Sequence, residues 1–164
     1  MKKNRIIKIV FATLLLTGIL LTQSCKKDDN TNLNTTCDFT PLADNTFSYG
    51  SINGPFATYI AFVSGANWQL AARDAGSPST GIGIQFPVKP TAAKTYNVVD
   101  YGSGQVSGDD NVFVYVSQVP GGNDNGVAGG CLKVTMNGNG KVVATFKDLS
   151  LASGKKLSAT IIEQ

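Results

Sequence analysis

Histidine, the commonest general base and metal ligand of proteins, is absent from all 164 residues. Serine triads, histidine-built zinc centres and haem ligation through histidine are thereby excluded. Acid–base work would fall to carboxylates, and beyond residue 36 these are Asp38, Asp44, Asp74, Asp100, Asp109, Asp110, Asp124, Asp148 and Glu163. Glycoside hydrolysis needs two of them facing each other about 5 to 9.5 Å apart. Only Asp109 and Asp110 adjoin, and sequence neighbours point apart on a strand, so the chain reads as a non-enzyme. Gly108-Asp-Asp-Asn111 and Asn123-Asp-Asn125 offer calcium the oxygen ligands it takes. Neither follows a calcium-loop signature, and Asx residues in loops ordinarily satisfy turn backbone; no metal and no cofactor are expected. Aromatic rings remain: Trp68, Tyr96, Tyr101 and Tyr115 can stack on a sugar ring or seat in a protein partner. Trp68, Tyr101 beside Gly102, and Asp124 in a long loop are the candidate ligand-binding residues, with a core role for Trp68 as the competing reading.

The elements that must hold such groups are strands. From Thr46 onward short β-rich runs alternate with glycine, asparagine and proline clusters, and no 3.6-residue period is sustained. Candidate strands cover Thr46 to Ile52, Phe56 to Val63, Trp68 to Arg73, Thr80 to Phe86, Lys94 to Val99, Val112 to Val119, Cys131 to Met136, Val142 to Lys147 and Lys156 to Ile162. About nine short strands predict an all-β domain, a single antiparallel β-sandwich. Leu132 to Met136, Asn-Gly-Asn-Gly, and Lys141 to Phe146 read as a hairpin, because Asn and Gly tolerate the positive φ of tight turns. Phe56 to Val63 and Val112 to Val116 are apolar on both faces and are expected to be central or covered. In Thr80 to Phe86, Ile82, Ile84 and Phe86 share one face, while Gly81 and Gly83 leave the other bare, open to a ring or backbone from elsewhere. The stretches Gly102 to Asp110 and Pro120 to Gly130 exceed what tight turns need and are where loop-borne function would sit.

The N-terminus is organised differently. Met1 to Lys8 carries four cations, Ile9 to Leu21 carries no charge, and Thr22-Gln23-Ser24-Cys25 closes the segment with a small residue before a cysteine. That is the three-part layout of a bacterial export signal over residues 1–24. The uncharged stretch falls short of the roughly 20 residues a spanning helix needs, which disfavours the competing reading, a membrane anchor. With four of the 14 basic residues (Lys2, Lys3, Arg5, Lys8) in this segment, 10 remain against 11 acidic ones. Nucleic acid therefore loses its electrostatic driving force. Hydrophobic residues at 42% against 15% charged then argue for a packed domain rather than a disordered chain.

Leu21-Thr22-Gln23-Ser24-Cys25 resembles the lipobox of bacterial lipoproteins, with Thr22 where a leucine is usual and Ser24 fitting the small position. The resemblance implies a diacylglycerol-modified, palmitate-type acylated Cys25 at the new N-terminus. Lys27-Asp28-Asp29 resembles the surface-export signal of Bacteroidetes-type lipoproteins; a solvated spacer is the other reading of those charges. Residues 25–36 then form a lipidated flexible tether, and residues 37–164 the domain. With Cys25 assigned to lipid, Cys37 and Cys131 remain to pair in an oxidising compartment, or to stand as two buried thiols.

Taken with Ala66-Asn-Trp-Gln-Leu70, Lys94-Thr-Tyr-Asn-Val98 and the Gly130 to Phe146 pattern, the chain resembles short β-rich surface lipoproteins of Bacteroidetes-type bacteria. The resemblance implies an outer-membrane protein facing the cell exterior and transfers no catalytic residue. The function expected is a lipid-anchored, non-catalytic binding or adhesion module for a glycan or protein ligand. A structural cell-envelope lipoprotein is the alternative.

Overall fold

The computed structural model describes residues 37–100, 106–119 and 122–164. Their strands are β1 (Thr46–Tyr49), β2 (Ile52–Pro55), β3 (Thr58–Ser64), β4 (Asn67–Arg73), β5 (Ser79–Phe86), β6 (Lys94–Val98), β7 (Asn111–Val119), β8 (Gly122–Asn125), β9 (Cys131–Met136), β10 (Val142–Ser150) and β11 (Lys156–Ile162). The described residues contain no helix. The order β2-β1-β11-β10-β9-β6-β7-β5-β4-β3, with β8 on β7, makes one mixed sheet curled into a half-barrel.

This differs from the purely antiparallel sandwich expected from the sequence. β6 runs parallel to β7 at Asn97 opposite Asn111 and Val98 opposite Val112, and β7 then continues antiparallel to β5. β7 thus belongs to both halves of the curl and joins them into one sheet. Alternation in a sequence reports which face of a strand is buried; it carries no information about strand direction.

Alternation does account for the core. Leu70, Ile84, Val114, Leu132, Val134, Ala144, Leu157, Ala159 and Ile161 are wholly buried and share one cluster with Phe47, Trp68 and Phe86. The β9–β10 hairpin forms with Val142 opposite Met136. Its turn is built by Asn137, whose side-chain carbonyl accepts from the amides of Asn139 (2.9 Å) and Lys141 (3.0 Å), and by Gly140 at φ +70°.

Two strands have no counterpart in the expected set. The Thr46 to Ile52 run breaks at Gly50 (φ +58°) into β1 and β2. β8 is Gly-Asn-Asp-Asn, a composition of poor β propensity, and pairs with β7 from Tyr115 to Gln118. The chain after it crosses to the other half of the curl: the Val127 amide donates to Ser150 O (3.0 Å), and the Ala152 amide to Asn125 O (2.8 Å). The expectation that the Phe56 to Val63 run would be covered is corrected. β3 is an edge strand, with Ile60 57% and Val63 72% exposed.

Cys37 is disulfide-bonded to Cys131, their Cα atoms 5.8 Å apart, within the usual disulfide span. Asp38 reaches Lys147 (2.6 Å) and Lys133 lies over the Phe39 ring, so the start of the domain is fastened to β9 and β10.

Candidate functional site

The sheet face turned away from the core carries three cross-strand rows. Register places Ile60, Ala71, Gly83, Tyr115 and Asn125 in one row, and Thr58, Arg73, Gly81, Ser117 and Asn123 in the next. Phe62, Gln69, Gln85 and Phe113 form the third. Residues of a given row share a face because side chains alternate along each strand, and the partners in the register of β4, β5 and β7 are Leu70, Ile84 and Val114 on the core side.

Gly81 and Gly83 shape this face. The Tyr115 ring lies across Gly83 so closely that no side chain could stand there. Over Gly81, a point one Cβ bond out lies 2.8 Å from Ser117 Oγ and 3.4 Å from Arg73 Nε. The bare glycine strip thus lets a phenol, a hydroxyl and a guanidinium sink toward the sheet, as close approach to strand glycines allows. The result is a groove of about 440 Å³ with Ile60, Ala71, Gly83 and Tyr115 on one side and Thr58, Arg73 and Ser117 on the other.

A second hollow, of about 280 Å³, is lined by Gln69, Gln85, Phe113, Tyr115, Asn123 and Asn125. Tyr115 therefore borders both. Phe113 is buried and stacks on Tyr115 with centroids 5.7 Å apart. Gln85 donates to Asn67 Oδ1 (3.1 Å), and Asn67 in turn donates to the carbonyls of Phe86 and Val106. That buried amide chain fixes one wall of the hollow.

Charge is distributed unevenly. Every lysine among the described residues holds a partner: Lys89 with Glu163, Lys94 with Asp110, Lys147 with Asp38, Lys141 with Gln164 O, Lys155 with Tyr49, Lys156 with Ser150, and Lys133 with the Phe39 ring. The Arg73 guanidinium has no hydrogen bond or ion pair among the described residues, and the residue is exposed.

Of the rings named from the sequence, Tyr115 lines this groove, whereas the candidates Trp68 and Asp124 do not. Trp68 is 6% exposed and packs on Phe86 at 5.5 Å, with Lys89 Nζ 5.5 Å from its ring centre, so its indole belongs to the core. Asp124 on β8 accepts from Tyr49 Oη (3.0 Å), from the Ser153 amide (3.0 Å) and from the Ser153 hydroxyl. Burial raises its pKa, but the Ser153 and Tyr49 hydrogen bonds and the Lys155 charge outweigh it and hold the carboxyl below its ordinary value. This cluster clamps β8 to β1 and to the β10–β11 turn. Tyr101 and Cys25 lie outside the described residues. Asp110 is engaged by Lys94 (2.6 Å), and no three His, Cys, Asp or Glu side chains gather as metal ligands among the described residues.

Arg73, Ser117 and Ile60 were not foreseen as site residues. The Gly81 and Gly83 strip was the available signal, since it announced a close approach, but which strand supplies the approaching groups depends on a pairing between β5 and β7 made across distant sequence. No protein-family model matches this chain, and no curated protein or solved structure matches it.

Proposed function

We propose that this protein is a lipid-anchored, cell-surface binding or adhesion module without catalytic activity, which presents the face of β3, β4, β5, β7 and β8 to a glycan or protein ligand. The observation that carries the reading is the convergence on Tyr115 of an aromatic and aliphatic groove and an amide-lined hollow. Binding sites of this kind are largely preformed concavities, apolar in most of their lining and oriented by a few polar groups. A component serving only to build the envelope would need the anchor and the fold, but no such convergence.

The remaining parts of the reading come from the N-terminal segment. Cys25 carries diacylglycerol and an acyl chain in the outer membrane, Lys27-Asp28-Asp29 directs the domain outward, and residues 25–36 give it reach. The chain is in this reading a surface lipoprotein of Bacteroidetes type. An array of glycans and matrix proteins, probed with the full chain in detergent, tests it. Specific binding that survives moderate salt supports the module, since stacking is screened less than exposed charge attraction. Silence on every spot, joined to an envelope defect when the chain is deleted, would favour the structural alternative.

A further inference from the structure

We infer that the groove around Arg73 is a subsite for an anionic saccharide, a sugar ring bearing a carboxylate or a sulfate ester. This rests on the binding-module reading above and narrows its ligand class.

The groove is divided lengthwise. One row, Ile60, Ala71, Gly83 and Tyr115, offers aliphatic and aromatic surface. The adjacent row, Thr58, Arg73 and Ser117, offers two hydroxyls and a guanidinium over the bare Gly81 backbone. A pyranose ring has the matching division, with C–H groups on its faces and hydroxyls around its rim. Laid on the first row, it puts its rim substituents over the second. The five strands of this face span four interstrand steps of about 4.8 Å, roughly 19 Å in all. Beyond Tyr115, the hollow with Gln69, Asn123 and Asn125 supplies neutral donors and acceptors for further hydroxyls.

Arg73 sets the charge. The lysines of the described residues hold partners, whereas its guanidinium has no hydrogen bond or ion pair among them, although Asp74 follows it in sequence. Asp74 is committed elsewhere, its Oδ1 accepting from the amides of Gly76 (3.1 Å) and Thr80 (2.8 Å). A guanidinium binds carboxylate or sulfate oxygens through paired N–H donors in a fork geometry, and Ser117 Oγ lies close enough to share such an anion.

A peptide is disfavoured by the backbone. The groove lies on the face of paired strands, and the N–H and C=O groups of β4 and β5 are spent on ladders with both neighbours. An extended peptide lying there would find no main-chain partners for its own amide groups, which strand addition at a sheet edge would provide.

The test is isothermal titration of the full chain in detergent with four probes: tetragalacturonate, dextran sulfate, unmodified dextran and poly-glutamate. Binding of tetragalacturonate or dextran sulfate at least tenfold tighter than dextran and poly-glutamate, and at least tenfold weaker after Arg73→Gln, is the expected result. The better of the two anionic sugars identifies the anion. Arg73→Gln removes an exposed side chain, and an unchanged thermal midpoint verifies that its effect is on binding. Ser117→Ala is a second variant, expected to weaken the same probe several-fold. Equal binding of dextran, indifferent to Arg73→Gln but lost in Tyr115→Ala, would overturn the anionic subsite and leave the binding module standing. Tightest binding of poly-glutamate would overturn the saccharide. Failure of all four probes, with binding to other array spots unaffected by Arg73→Gln, would overturn the subsite as well, whereas an array silent throughout defeats the module itself.

Discussion

The phenol ring of Tyr115 lies over Gly83, its direct partner across the β5–β7 ladder, and fills the space a side chain would take there. Gly83→Ala must push the ring away or move the strand. Overpacking of this kind costs about 1–3 kcal/mol, and it should also reshape both hollows that Tyr115 borders. Thermal unfolding checks it, with Gly54→Ala as the control, since nothing stands within 4 Å of that position. The expected outcome is a lower midpoint for Gly83→Ala and little change for Gly54→Ala.

Cys37 and Cys131 are 94 residues apart in sequence. A bridge closing a loop of that length restricts the unfolded chain, by about 4–5 kcal/mol in the chain-entropy model. Non-reducing peptide mapping of exported protein should recover the two cysteines joined. Reduction should lower the thermal midpoint. Two free thiols in carefully alkylated protein would contradict the bridge.

Glu163 is 7% exposed, and it accepts from Lys89 and from the Val142 amide (3.0 Å). Burial raises its pKa, but the Lys89 and Val142 hydrogen bonds and the charges of Lys89 and Lys141 prevail, and the folded-state value lies below the ordinary 4.5. A carboxyl with a depressed pKa stabilises the fold fully above its unfolded pKa, and that contribution is lost as pH falls through the folded value. Lys89→Met should therefore cost stability at pH 7, by about 1 kcal/mol because the lysine is half exposed and the pair is partly screened. Denaturant titrations should show the difference between wild type and variant shrinking as pH falls below 4.5. A difference unchanged down to the lowest pH at which the protein stays folded would contradict the role given to the pair.

Much of this fold was legible because burial leaves a period-2 imprint. Leu132, Val134 and Met136, then Leu157, Ala159 and Ile161, could be assigned to a core face from spacing alone, and Asn137 to Gly140 announced their turn. Strand direction was not legible. Nothing in Lys94 to Val98 distinguishes a strand that will run parallel to β7 from one that will not. β8 escaped notice because Gly-Asn-Asp-Asn has no propensity for a strand; it is held by pairing with β7 and by the Asp124 clamp, both tertiary effects. The edge position of β3 escaped for a different reason. An apolar run on both faces is the signature of a covered strand, and the same pattern on an exposed edge cannot be told from it in sequence. Trp68 illustrates the site problem: ring chemistry named it, while its register opposite Phe86 put it in the core.

The lipid anchor has its own test. A Cys25→Ser variant should lose the acyl mass and leave the membrane fraction, because the thiol is the point of attachment in the proposed anchor. Fractionation identical to that of the parent would contradict it.

The face of β3, β4, β5, β7 and β8 is the proposed place where this protein meets its ligand. The most direct measurement repeats the array with the full chain carrying Tyr115→Ala and Ile60→Asp together, beside Asn139→Ala at the exposed tip of the β9–β10 hairpin on another part of the molecule. Every specific spot should weaken at least tenfold with the face variant and be unchanged with the tip variant, both variants remaining folded by thermal melt. Spots that persist with the face variant and vanish with the tip variant would contradict it.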